Sequence, residues 1–274
     1  MKKISIVGLG WLGKALAEKL SSEEYDVLGS TTTEEKAKSL SQEAYSVVTL
    51  KLAPHPTGKG FNKLFEVDTC VITIPPKTRS QSQEFYFQQL TFLKKLIDQS
   101  KVKRVIFISS SGVYPNEPRE IPYDEEDEIN PDNTGNPVIL EAERIISERR
   151  LYELSIIRFG GLMGGGRILA KYFQGRENVD GEARVNYIHQ TDAVNLCQWI
   201  IEQGHWEEVF NGVAPEHPNK KSIIEKNLKE FNFDPPKSYS ELHHETFRLI
   251  SSEKLIEMGF EFTYPDPLYF DYNS

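Results

Sequence analysis

The segment ISIVGLGWLG, residues 4–13, decides the fold. Its first four residues are strand-forming, and a helical pattern follows the glycines. Gly8, Gly10 and Gly13 have the spacing G-x-G-x-x-G: the first permits a tight turn, the second lets the backbone approach a pyrophosphate, and the third lets a helix pack closely on the strand. We therefore predict a dinucleotide-binding loop, with a tight turn that binds no ligand as the alternative.

Strand-like and helical runs alternate along the first 160 residues. Strands are predicted at 4–8, 26–30, 46–50, 69–74, 104–109 and 154–159, and helices at 12–20, 33–40, 84–99 and 137–150. This alternation predicts an α/β fold with a Rossmann-type, doubly wound parallel sheet and a small C-terminal α+β lobe. We expect the Rossmann domain to comprise residues 1–165 with 186–213 returning to it, and the substrate lobe to comprise 166–185 and 214–274.

Composition excludes several classes of function. A net charge of −9 over 274 residues disfavours binding to nucleic acid or to an anionic membrane, and no window is long and apolar enough for a membrane span. Cys70 and Cys197 lie in apolar patterns, which predicts buried thiols and a cytoplasmic protein.

The acidic run YDEEDE, residues 123–128, predicts a solvated loop, with a metal site as the alternative. His243 and His244 are adjacent and lack a third ligand, so we predict no metal.

The residues after the second strand bear on the choice of dinucleotide. An NAD site usually has an acidic residue there for the ribose hydroxyls, whereas this chain has Ser30, Thr31 and Thr32. These hydroxyls, together with Lys36, favour the 2′-phosphate of NADP, and NAD stays possible. Thr33 is alternatively only the cap of the next helix.

Five segments, in order, carry a resemblance to a known family. They are FISSSGVYP, YDEEDEINP, SIIRFGGLMGGGR, NYIHQTDAV and ISSEKLIEMGFEFTYP. Together with the glycine loop they resemble the extended, NAD-dependent epimerase/dehydratase-like branch of the short-chain dehydrogenases/reductases. The resemblance spans nearly the whole chain and implies a nicotinamide cofactor and a small polar or nucleotide-sugar-like substrate.

Two features depart from that family. Its catalytic Tyr-x-x-x-Lys pair has no counterpart between Tyr123 and Tyr152, because the alignment that matches Glu143 assigns Gly135 and Ile139 to the two positions. The family usually has the spacing G-x-x-G-x-x-G, whereas this chain has Val7 at the first of those positions and a glycine at Gly8. The G-x-G-x-x-G spacing is also that of β-hydroxyacid dehydrogenases, which are the rival fold. That fold requires an all-helical C-terminal half, which the strand-like, proline-containing C-terminal third disfavours.

The motifs and the resemblance assign candidate residues to three roles. Ser110 and Tyr114 are the catalytic candidates. The cofactor-binding candidates are Gly8, Gly10, Trp11, Leu12, Gly13, Ser30, Thr31, Thr32, Pro75, Ser109 and Gly161. The substrate-binding candidates are Arg158, Arg167 and His189.

Each of these assignments has a structural alternative. The alternative for Ser110 is that it serves only as the cap of its strand. The alternative for Tyr114 is a structural role, which the matching tyrosine has in the family. Arg158 could pair with the acidic loop, and His189 could fix a return loop.

Two functions follow from this pattern. The first is an atypical NADP-dependent oxidoreductase or epimerase-like enzyme with a displaced acid/base. The second is a catalytically lapsed NADP(H)-binding sensor or scaffold that works through a protein partner. In the family, helices like those at 84–99 and 137–150 often pair two subunits, so a homodimer is possible.

Overall fold

A parallel sheet forms the centre of the fold in the computed structural model, which describes residues 2–76, 80–242 and 244–272. The strands are β1 (Lys3–Val7), β2 (Asp26–Thr31), β3 (Ser46–Thr49), β4 (Lys51–Leu52), β5 (Pro56–Thr57), β6 (Thr69–Ile72), β7 (Arg104–Ser110), β8 (Glu153–Phe159), β9 (Gly161–Met163), β10 (Tyr187–His189) and β11 (Val209–Gly212). The helices are α1 (Trp11–Ser22), α2 (Glu34–Ser39), α3 (Gln83–Asp98), α4 (Pro137–Ser147), α5 (Gln190–Gln203), α6 (Lys220–Glu230) and α7 (Glu253–Glu257). Four short 3₁₀ turns lie at Phe61–Phe65, Ser111–Val113, Ala170–Tyr172 and Pro267–Tyr269.

Seven strands make the main sheet, in the order β11-β8-β7-β6-β1-β2-β3, and every neighbouring pair is parallel. The chain winds outward from β1 to β3 and then crosses back to β6 on the other side of β1. The carboxyl ends of β1 and β6 therefore flank the point where the strand order reverses. In open α/β sheets, that point is where ligands bind.

Helices cover both faces of the sheet. Apolar residues of α1 and α5 pack with Ile4 and Ile6 on one face, while those of α3 and α4 pack with Cys70 and Ile72 on the other. Strands covered on both sides must be apolar throughout, and all four residues of β6 are buried. The predicted α/β class is confirmed.

Local chemistry explains small differences from the predicted bounds. Helix α4 ends at Ser147 rather than residue 150, because Glu148 is extended and Arg149 has a φ of +46°. Strands β8 to β11 in the second half of the chain are incompatible with the all-helical half of the rival fold.

The C-terminal segments divide between the sheet and a separate cluster. Strand β11 joins the sheet edge beside β8, whereas Ile223 and Ile224 of α6 pack with Leu169, Val179 and neighbouring apolar side chains away from the sheet. Within the described ranges, no helix has the length and apolar character needed to cross a membrane.

Candidate functional site

The glycine loop is pinned between the ends of three strands. The Gly8 amide donates to Ser30 Oγ at 3.1 Å, and Thr73 Oγ1, just after β6, donates to the Gly8 carbonyl at 2.5 Å. Gly8 has a φ of +110°, and a Cβ on Gly13 would lie 2.2 Å from the Gly8 oxygen. A Cβ on Gly10 would meet nothing within 4 Å. Gly8 and Gly13 are therefore required by packing, while Gly10 leaves open space above the loop.

Helix α1 begins at this loop with an uncapped, electropositive end. Its N-cap is Gly10, no side chain caps it, and no acidic residue lies in its first turn. The unpaired amide groups and the helix dipole make such an end favourable for an anion.

Two cavities meet over the loop. The first, of about 280 Å³, is lined by α1's first turn, by the end of β7 and by α4. The second, of about 470 Å³, lies beside the ends of β2 and β6. Both include Gly10, Thr73 and Pro75 in their walls, so they form one cleft that crosses the glycine loop.

The lining of the second cavity combines apolar side chains with cationic and hydroxyl ones. Thr31, Thr32, Lys36 and Lys51 line it, and no carboxylate does so among the residues that the structure describes. Lys36 Nζ donates to the Leu9 carbonyl at 2.8 Å, so the ammonium group lies beside the loop. The helix-cap alternative for Thr33 also holds, since its hydroxyl accepts from the Lys36 amide.

Ser109 and Ser110, at the end of β7, line the first cavity. Ser110 Oγ accepts from the Gly112 amide at 3.1 Å and so also caps the turn that follows the strand. Ser109 Oγ donates to Glu143 Oε1 of α4 at 2.5 Å. Arg248 donates to the carbonyls of Ser111 and Pro115, both at 2.6 Å, which ties the C-terminal segment to this turn.

Arg158 is buried and forms an ion pair with Glu143 at 2.8 Å, not with the acidic loop. Burial opposes the charge of the guanidinium group, but the hydrogen bonds that Arg158 donates to the Glu143 carboxylate, and the charge of that carboxylate, outweigh burial and raise the pKa of Arg158 above its usual range. The pair is 10% and 7% exposed, respectively, so Arg158 is engaged within the core.

Tyr114 is fully buried. Its hydroxyl donates to Asn211 Oδ1 at 2.9 Å and accepts from Arg158 Nη1 at 3.1 Å. Burial raises the pKa of Tyr114 to about 12. The structure therefore does not bring this hydroxyl into the cleft with Ser110.

The acidic run is partly engaged rather than fully solvated. Asp127 pairs with Arg119, and Glu125 accepts from the Asn211 amide at 2.6 Å. No group of three His, Cys, Asp or Glu side chains within the described ranges is arranged to hold a metal, and His243 lies outside them.

The two positions that the alignment assigns to the catalytic pair offer no acid or base. Gly135 donates to the Val113 and Tyr114 carbonyls, and a Cβ on it would lie 2.3 Å from the Tyr114 oxygen. Ile139 lines the first cavity together with Ala142, so α4 presents an apolar wall there.

The glycine-rich loop at 164–166 leads to Arg167, which lines the first cavity. All three glycines have positive φ, from +51° to +86°. Trp11 Nε1 donates to the Gly165 carbonyl at 3.0 Å, and the Arg167 guanidinium lies 4.1 Å from the centre of the Trp11 ring. This loop therefore touches the glycine fingerprint directly.

His189 lies beneath that loop and is fully buried. Its Nδ1 accepts from the Thr191 amide and caps α5, so Nε2 carries the proton and donates to the Asp271 carbonyl at 2.6 Å. Burial lowers the pKa of His189. A Cβ on Gly164 would lie 2.3 Å from His189 Nε2, so the imidazole supports the loop rather than facing the cleft.

The structure brings most of the candidates together and separates a few. The walls of the cleft include Gly8, Gly10, Trp11, Leu12, Gly13, Ser30, Thr31, Thr32, Pro75, Ser109, Ser110 and Arg167. Gly161 lies in β9 next to the wall, which its neighbour Gly160 lines. Sequence reasoning missed Thr73 and Lys51. The position of Thr73 just after β6 could have indicated it, whereas Lys51 lies in a two-residue strand without a detectable pattern.

Comparison with known proteins agrees with this architecture. Residues 4–141 match the model of the NAD dependent epimerase/dehydratase family. Protein YeeZ of Escherichia coli (strain K12) is 30% identical over 274 residues, covering 98% of each chain.

Solved structures share the fold at low identity. The UDP-Glc/GlcNAc 4-epimerase of Campylobacter jejuni is 16% identical with a TM-score of 0.77, over 98% of this chain and 96% of that one. The human epimerase family protein SDR39U1, solved with NADPH, is 13% identical with a TM-score of 0.70, over 97% and 96%.

Proposed function

The chain belongs to the NAD dependent epimerase/dehydratase family, and we propose that it binds a nicotinamide dinucleotide, with NADP(H) preferred to NAD(H), in the cleft over residues 8–13. The observation that carries this proposal is the uncapped N-terminus of α1, which opens into a cleft where the lack of a side chain at Gly10 leaves room for a close approach. A pyrophosphate at this point would direct its two nucleosides into the two cavities. The NADPH in the human structural neighbour agrees with this proposal.

The preference for NADP(H) rests on charge in the second cavity. Its lining contains Lys36 and Lys51 and, among described residues, no carboxylate that would repel a 2′-phosphate. Lys36 Nζ is 2.8 Å from the Leu9 carbonyl, and a dianionic phosphate is a stronger partner for an ammonium group than a neutral carbonyl.

We further propose that the protein is an oxidoreductase or epimerase-like enzyme for a small polar or nucleotide-sugar-like substrate. The bound dinucleotide would supply hydride-transfer chemistry at the end of β7. Ser110, which lines the first cavity there, would orient a substrate oxygen by donating its hydroxyl proton to a hydrogen bond. An epimerase from Thermotoga maritima, solved with UDP-glucose, shares the fold at a TM-score of 0.76 and 16% identity, over 95% and 94% of the two chains.

The alternative is a catalytically lapsed NADP(H)-binding sensor or scaffold that works through a protein partner. The observation in its favour is the apolar wall of α4, where Ile139 and Ala142 line the cavity and Gly135 has no room for a side chain. The Tyr114 hydroxyl, buried against Asn211 and Arg158, would supply no acid to the cleft.

Titration of the purified chain with NADPH and NADH tests the binding proposal. Trp11 lies in the loop, so we expect quenching of its fluorescence, with NADPH bound more tightly. Lys36→Ala should weaken NADPH binding about tenfold, because the 2′-phosphate loses its ammonium partner. NADH has no 2′-phosphate, so its binding should be unchanged. Lys38→Ala, in the same helix but outside the cavity lining, is the matched control. Absence of binding by the parent chain would contradict the proposal.

Transfer of deuterium discriminates the two functions. It is followed from 4-deuterated NADPH to a panel of carbonyl compounds or, with the oxidised cofactor bound, from the reacting carbon of a deuterated nucleotide sugar to the cofactor and back to the epimer. Deuterium in a product, lost in Ser110→Ala while NADPH affinity is retained, would support the enzyme. Tight binding without any transfer would favour the alternative.

We also propose that the protein works in the cytoplasm. Cys70 and Cys197 are both buried free thiols, which is typical of a reducing compartment. A homodimer through the outer surfaces of α3 and α4 stays part of the proposal and is checked by the mass in solution.

A further inference from the structure

Arg167 reaches the glycine fingerprint from the far side of the cleft. Its guanidinium group lies 4.1 Å from the centre of the Trp11 ring, and Trp11 is the first residue of α1. The indole Nε1 donates to Gly165, two residues before Arg167. The arginine is therefore held above the first turn of α1, where the amides of residues 11–13 have no side-chain cap.

The charge of Arg167 is not neutralised by a carboxylate of the described residues. Among the described residues, no carboxylate lies within 4.0 Å of this guanidinium group, in contrast to Arg158 with Glu143. A guanidinium stacked on an aromatic ring keeps its N–H groups free in the plane of the stack. Arg167 lines the first cavity, so these donors are available to a ligand there.

The loop that carries Arg167 is rigidly supported. Gly164 packs on the His189 ring and Gly165 on Gln190, leaving no room for a Cβ at either position. Gln190 Nε2 in turn donates to the Trp11 carbonyl at 3.0 Å, so β10, α5 and α1 are joined through the same loop. Such support holds the guanidinium group close to one position before a ligand arrives, which reduces the entropic cost of binding.

We propose that Arg167 binds the pyrophosphate of the dinucleotide, and so completes from the opposite wall the anion site that the N-terminus of α1 begins. This assignment rests on the proposed function and replaces the expectation that Arg167 binds the substrate. A pyrophosphate linker carries two negative charges and oxygens on several sides. The helix end would bind one side, and the planar guanidinium, with paired N–H donors, matches the other.

Binding measurements with three ligands test the proposal. NADPH has every group, 2′-phospho-ADP-ribose lacks only the nicotinamide, and adenosine 2′-monophosphate lacks the pyrophosphate as well. We expect Arg167→Ala to weaken the first two about 10- to 100-fold and to leave the third unchanged. Arg167→Lys should give an intermediate loss, because it keeps the charge without the paired donors.

Arg176→Ala is the matched control. Arg176 also stacks on an aromatic ring, that of Phe173 at 5.4 Å, but does not line the cleft, so all three affinities should equal those of the parent. Unchanged NADPH affinity in Arg167→Ala would overturn the assignment. A loss confined to NADPH, or one shared by adenosine 2′-monophosphate, would overturn it as well. If the parent chain binds no dinucleotide, the proposed function fails and this assignment fails with it.

Discussion

Glu143 and Arg158 form the buried charged pair beside the cleft, and their dependence on each other yields a stability prediction. Glu143→Ala would leave the Arg158 guanidinium buried without its carboxylate, and Ser109 without its acceptor. We expect the free energy of unfolding in urea to fall by about 3–5 kcal/mol. Glu141→Ala is the matched control, because it removes a partly exposed partner of the exposed Arg144 in the same helix and should change stability little. Equal effects of the two substitutions would contradict the role of burial.

At the residue scale, the sequence indicated which side chains form ion pairs or hydrogen bonds better than it indicated their partners. An ion pair was a stated alternative for Arg158, yet its partner is Glu143 of α4 and not the acidic loop. Partners across a fold depend on how a helix is rotated over a sheet, which one sequence does not reveal. The same limit applies to Tyr114, where residue type and proximity to Ser110 indicated catalysis but the hydroxyl points to Asn211.

Within the turn between β1 and α1, the glycines have separable tasks. A Cβ at Gly10 meets nothing within 4 Å, whereas one at Gly13 would lie 2.2 Å from a backbone oxygen. We expect Gly10→Ala to keep the parent's melting temperature but to weaken NADPH binding, since the methyl group points into the cleft. Gly13→Ala should lower the melting temperature, because α1 must move away from β1. A melting temperature lowered equally by both substitutions would show that Gly10 also serves packing.

Elements with strong patterns were predicted closely, and short ones were not. The predicted helix at 84–99 is observed as Gln83–Asp98, and the predicted strand at 104–109 as Arg104–Ser110, because long apolar patterns leave one secondary structure that buries them. Strands β4, β5 and β9 have only two or three residues, too few for a period to emerge. The same difference applies to the cleft. The glycine loop could be predicted from its pattern, whereas the part of the wall that Lys51 contributes could not.

For the whole molecule, a fully buried histidine, His189, and a half-buried one, His217, link stability to pH. His189 joins α5 to the C-terminal segment, and His217 contacts the Val185 carbonyl at 2.8 Å. Burial lowers the pKa of both below the ordinary 6.5. Below pH 6.5 the unfolded chain therefore takes up protons at these histidines more readily than the folded chain does. The free energy of unfolding, in full above pH 6.5, then decreases as the pH falls, by up to about 1.4 kcal/mol per pH unit for each histidine. Glu125 and Asp192 act oppositely, since burial raises their pKa values and the folded chain binds their protons more tightly at lower pH.

Because the carboxyl groups of Glu125 and Asp192 act in the opposite direction, the measurement is centred on the ordinary histidine pKa of 6.5. We expect the free energy of unfolding, measured in urea between pH 7.5 and 5.5, to decrease towards acid. His217→Asn retains a donor for the Val185 carbonyl but cannot titrate. It should therefore reduce the dependence of the free energy of unfolding on pH. His55→Asn, which replaces an exposed histidine, is the control and should retain the pH dependence of the parent chain. A slope that His217→Asn leaves unchanged would assign the acid sensitivity to other groups, with His189 under the Arg167 loop as the next to be substituted.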